Sequence, residues 1–132
     1  MLRALSLFAA LFGAICMVIA LAHIALGPAA IPGSVPVNAT MDSEDRFYAT
    51  LFLGYGAAMI WSSRALVPRR DVFGALLLIF FLGGIARIIS ALAVGLPNTL
   101  FIVLGSAELL LPPMLWALLK RAAHQAAIRR NS

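Results

Sequence analysis

Four long apolar runs separated by short polar stretches account for most of this chain. The first run spans residues 4–26, the second about 45–66, the third about 72–95 and the fourth about 99–119. A helix rising 1.5 Å per residue needs about 20 residues to cross a hydrocarbon layer of about 30 Å, and each run meets that length. The pattern predicts an all-α, polytopic membrane protein: an antiparallel four-helix transmembrane bundle forming one domain over residues 1–132.

The stretches between the runs supply the punctuation. Residues 27–43 contain Pro28, Pro32 and Pro36, which exclude regular helix, and Ser43 followed by Asp45 and Arg46 reads as the start of the second helix. Asn38, Ala39 and Thr40 match a glycosylation acceptor, which matters only in a eukaryotic secretory setting. Residues 67–71 form a short basic turn, and Leu96, Pro97 and Asn98 a tight uncharged one. Pro112 and Pro113 are expected to bend the fourth helix. Residues 120–132 read as a basic cytoplasmic tail at the membrane surface. Gly13, Cys16, Ala20, His23 and Gly27 share a small-residue face suited to close packing, as do Gly54 and Ala58 on the second helix. Arg3 ahead of an apolar run resembles a secretory signal. The run outlasts the 7–15 residues of a signal core, however, and is read as retained.

Composition sharpens this picture. With 63% hydrophobic and 11% charged residues and a mean hydropathy of +1.01, the chain has more apolar surface than a soluble domain of 132 residues could bury. The net charge of +5 does not point to nucleic acid, because the basic residues sit in short flanks between apolar runs rather than along one face. They read as topology signals. Arg3, then Arg64, Arg69 and Arg70, then Lys120, Arg121, Arg129 and Arg130 fall on one side of a four-span chain. Asp42, Glu44 and Asp45 with a single Arg46 fall on the other. The positive-inside rule then places both termini in the cytoplasm, and Trp61 and Trp116 lie towards the basic ends of their helices. Cys16 is the sole cysteine, so no disulfide framework or cysteine metal cluster is available, and it reads as an apolar filler.

Arg87 and Glu108 are the candidate chemistry. A charge at the bilayer centre costs at least about 2.5–3.5 kcal/mol, so each is expected to have a partner. Gly83, Arg87 and Ser90 share one helix face, as do Gly105, Glu108 and Pro112 on the next helix. Arg87 lies about 12 Å and Glu108 about 15 Å below the outer ends of their helices. The tight turn between these helices makes them antiparallel neighbours, so the two side chains can meet. Tyr55 reaches a similar depth, and it and Ser90 are candidates for the remaining hydrogen bonds. His23 sits nearer the outer surface. Such a layer can serve as an electrostatic clip fixing helix register. It can also form an outward-opening pocket for a headgroup, a small solute or a proton.

These residues resemble a known family. Ala86-Arg87-Ile88-Ile89-Ser90, the turn Gly95-Leu96-Pro97, and Glu108 followed by Leu109 and Leu110 are similar to the domain-of-unknown-function family 4345. The resemblance covers nearly the whole chain, and its most specific part is Gly-Gly-x-x-Arg-x-x-Ser from Gly83 to Ser90 with the downstream glutamate. It implies a bacterial inner-membrane protein of four helices, multi-pass, with Arg87, Ser90 and Glu108 as its polar signature. It brings no established activity.

Three functions compete on these grounds. The first is a non-enzymatic protein that binds a lipid or small amphiphile, or serves as an accessory subunit beside a membrane partner or a second copy of itself. Small-residue faces and one ion pair suit it. The second is an intramembrane enzyme, isomerase-like and working by proton transfer; it needs Glu108 or His23 free to exchange a proton, whereas Arg87 would occupy the carboxylate. The third is a solute- or proton-coupled transporter, which four spans could serve only as a dimer. No nucleotide loop, metal-ligand cluster or nucleophile motif appears, so no catalytic residue, metal or cofactor is expected.

Overall fold

A computed structural model of the chain describes residues 1–131. Among them every regular element is helical: α1 Leu2–Leu26, a short 3₁₀ turn Gly27–Ala30, α2 Ala39–Ser63, α3 Arg70–Val94 and α4 Thr99–Asn131. Two compact units are formed, one of Leu7–Arg64 and one of Met1–Ser6 with Ala65–Ser132.

In the Leu7–Arg64 unit, α1 and α2 run antiparallel. Their closest approach is at two glycines: a Cβ on Gly13 would lie 2.6 Å from the Gly56 carbonyl oxygen, and one on Gly56 would lie 2.6 Å from that of Gly13. On α1, Gly13, Cys16 and Ala20 are buried, and so is Gly27 just beyond its end. On α2 the close-packing residue is Gly56 rather than Gly54, which has nothing within 4 Å of its would-be Cβ. Two residues at 100° each separate those glycines by more than half a turn, so only one can face α1. Gly27, at φ +60°, turns the chain out of α1. The second helix begins at Ala39, earlier than the proline content of residues 27–43 implies. Asn38 is its N-cap, accepting a 3.0 Å hydrogen bond from Met41 N, and Asp42 lies in the first turn, where the helix dipole favours an acid.

In the other unit, α3 and α4 form an antiparallel hairpin whose facing positions follow a heptad rhythm. Gly105, Glu108, Pro112, Leu115, Leu119 and Ala122 of α4 are buried, at alternating spacings of three and four. Phe73, Leu77 and Gly84 are buried on α3, and Phe80 and Arg87 complete its series at intermediate exposure. Asn98 caps α4, accepting from Leu100 N at 3.0 Å. α4 runs uninterrupted past Leu119 to Asn131, so the basic tail continues the helix. The Ala122 and Ala123 pair and the absence of Gly or Pro beyond Pro113 favour continuation.

The outward faces are apolar. Leu82, Ile89, Leu92, Val94, Val103 and Leu110 are all exposed, an extent of apolar surface that lipid covers and water does not. Among the described residues three stretches are long and apolar enough to cross a membrane: Leu2–Ala30, Arg70–Val94 and Thr99–Gln125. α2 matches them in length, but Asp42, Glu44, Asp45 and Arg46 lower the apolarity of its first turns.

Candidate functional site: a charged pair in the α3–α4 hairpin

Arg87 and Glu108 meet across the seam of the hairpin. Arg87 Nε donates to Glu108 Oε2 at 2.8 Å. Each charge is seated opposite a glycine of the other helix. A Cβ on Gly105 would lie 3.2 Å from Arg87 Cδ, so Gly105 makes room for the arginine stem. A Cβ on Gly84 would lie 3.1 Å from Glu108 Cβ and 2.9 Å from the Leu109 side chain, so Gly84 makes room for the glutamate. Heptad packing supplies the facing positions, and the two glycines let polar side chains occupy them without prising the helices apart.

The two partners differ in exposure. The Glu108 side chain is 9% exposed and that of Arg87 is 40%. Arg87 also lies over the Phe101 ring, its guanidinium carbon 5.4 Å from the centroid. The guanidinium is thus held by a carboxylate through Nε and by an aromatic face, with its outer part open to the surroundings. Pro112 and Pro113 have no amide hydrogen, so the carbonyls of Glu108 and Leu109 lose their helical donors one turn on. The helix is therefore richest in acceptors at the level of the pair.

Of the other residues expected in the polar layer, Ser90 lies in the same unit as the pair and Tyr55 and His23 in the Leu7–Arg64 unit. Ser90 is exposed on α3 and makes no hydrogen bond to the pair. Tyr55 belongs to the other unit, where its ring stacks on Phe52 at 5.9 Å and meets Phe12 edge-on at 6.5 Å. His23 also belongs there, its Nδ1 lying 3.1 Å from both carboxylate oxygens of Asp45.

His23 is part of a polar lock that sequence reasoning missed. Arg46 donates to the carbonyls of Ile24 and Ala25, among the last acceptors of α1, and through Nε to Asp42 Oδ2 at 2.8 Å. A cation bound to the last carbonyls of a helix satisfies orphan acceptors and complements its dipole. The Arg46 hydrogen bond holds the Asp42 carboxyl below the usual carboxylate range, which favours its charged form beside the guanidinium. Asp42 and Arg46 at i, i+4 were a visible signal, but the register with α1 was not. Among the described residues no three His, Cys, Asp or Glu side chains come together as a metal-ion set.

An all-helical chain with three membrane-length apolar helices and a charged pair inside a hairpin defines a polytopic membrane protein. Comparison with known families matches residues 4–119 to the family described as Domain of unknown function (DUF4345), and the chain belongs to that family. Neither the curated proteins nor the solved structures contain a match.

Proposed function

We propose that this chain is a four-span protein of the bacterial inner membrane, with both termini cytoplasmic, that binds the anionic headgroup of a lipid or small amphiphile at Arg87 without catalysing a reaction. The observation that carries this reading is the division of labour on Arg87. Its Nε is spent on Glu108 while 40% of the side chain remains exposed in an otherwise apolar helix. A guanidinium is a fork of five donors, and its terminal nitrogens suit the paired oxygens of a phosphate or carboxylate. Glu108 and the Phe101 ring orient the fork before a ligand arrives, which lowers the ordering cost of binding. An intramembrane charge left half-open beside its partner is better explained by a ligand than by a clip, which would be sealed on both sides.

Native mass spectrometry of protein extracted gently from its own membrane tests the reading. The expected result is retained anionic lipid or amphiphile, one equivalent of which is lost in a folded Arg87→Gln variant, whose amide can still donate to Glu108. A bare wild-type monomer, or retention unchanged in the variant, would overturn it. A retained protein in place of a lipid would replace it with the accessory-subunit reading.

A further inference from the structure

A second feature of the α3–α4 hairpin lies at its opposite end, about 25 Å along α3 from Arg87. There a cleft of about 600 Å³ opens between the start of α3 and the later turns of α4. Leu119 and the Trp116 ring line its apolar part, and Arg70, Lys120 and His124 its polar part, together with Asp71. Trp116 is seated by a glycine: a Cβ on Gly74 would lie 2.8 Å from the indole, so only glycine lets the ring lie against α3. The Lys120 ammonium sits 5.4 Å from the centre of that ring, a cation held over an aromatic face.

We propose that this cleft holds the phosphate headgroup of an anionic phospholipid, in the leaflet facing the basic end of the hairpin. The chemistry of the walls sets the ligand class. Arg70 and Lys120 come from two helices and converge on one opening, so an anion between them is contacted from both sides. Asp71 is 92% exposed and 3.6 Å from Arg70, so solvent screens its charge and the cleft keeps a positive balance. Arg69 and Arg121, the next residues in the chain, extend that field. A soluble anion would need only the basic rim. The apolar wall of Leu119 and Trp116 directly below it matches an amphiphile, with glycerol and acyl carbons lying against the indole and the phosphate at the rim.

Trp116 reports on its own cleft. With Trp61→Phe it becomes the one tryptophan of the chain, and phospholipids brominated on their acyl chains quench it on contact. The protein is titrated in detergent micelles with brominated phosphatidylglycerol and, separately, brominated phosphatidylcholine. Each basic side chain near an anionic surface is worth about 1 kcal/mol, or roughly fivefold in affinity. Phosphatidylglycerol should therefore quench at a mole fraction at least about fivefold lower than phosphatidylcholine does. That preference should vanish in Arg70→Gln with Lys120→Gln, both exposed positions at which the helices are retained. Equal quenching by the two lipids, or a preference that survives the double change, overturns the proposal. So does displacement of the brominated lipid by millimolar inorganic phosphate, which would make the ligand a free anion. Loss of lipid retention on Arg87→Gln is a separate result, since that residue lies outside the cleft.

Discussion

At the scale of single residues, the exposure difference between Arg87 and Glu108 makes their contributions unequal. Removing one member of a buried pair typically costs 3–5 kcal/mol, because the other charge is left unpaired. Glu108 has little access to its surroundings, so Arg87→Met should cost about 2–4 kcal/mol. Glu108→Leu should cost less, about 1–2 kcal/mol, because the half-open arginine can extend its guanidinium towards the headgroup layer. The double change should return to within about 1 kcal/mol of the wild type, since Met and Leu fill the seam. Thermal unfolding of the four proteins in one detergent checks this, and additive single effects would mean that the pair is not coupled. Both charges were legible in the sequence because each interrupts a long apolar run. The exposed position of Ser90 was not legible, since helix phase alone puts it on a shared face with Arg87. Nor was Phe101, an ordinary apolar residue in composition, whose role appears only when α4 is laid against α3.

At the scale of elements, hydropathy located all four helices, and the differences lie at their ends. α2 starts at Ala39 because Asn38 supplies a cap oxygen, a local hydrogen bond that a count of prolines does not register. α4 outlasts its apolar stretch because polarity does not end a helix when no breaker follows. A small-residue stripe was readable on both α1 and α2, but which glycine of α2 makes contact depends on the register of the two helices. Gly54 and Gly56 offer a direct test of that register. Gly54→Ala should be neutral or stabilising by up to about 1 kcal/mol, the gain from replacing a helical glycine where space is open. Gly56→Ala places a methyl group 2.6 Å from the Gly13 carbonyl oxygen, a backbone atom that cannot swing aside, and should cost about 1–3 kcal/mol. The comparison needs only the two melting temperatures. Equal shifts would mean that α1 and α2 do not cross at these glycines.

At the scale of the whole molecule, the question is whether α2 crosses the membrane with α1. By apolarity it falls short of the other three helices, because its first turns carry Asp42, Glu44, Asp45 and Arg46. Packing supports the proposed fourth crossing. Gly56 lies against Gly13 and Tyr55 against Phe12 near the middle of both helices, while Asp45 reaches His23 near the end of α1. A helix that lies antiparallel along a membrane-spanning neighbour over such a distance shares its environment. On that proposal the acidic turns would sit level with the end of α1, where Arg46 binds the last carbonyls, and their charges would face headgroups rather than acyl chains. The consequence is geometric. Four crossings put residues 64–70 on the side opposite Ser34 and Leu96, whereas a surface-lying α2 would leave them beside Ser34. In a Cys16→Ala background, single cysteines at Ser34, Pro68 and Leu96, all exposed positions, can be labelled with a membrane-impermeant maleimide on intact spheroplasts. Ser34→Cys and Leu96→Cys should react at once and Pro68→Cys only after lysis. Immediate labelling at both Ser34→Cys and Pro68→Cys would show that α2 stays on one face, and the positive-inside assignment of the termini would fall with it.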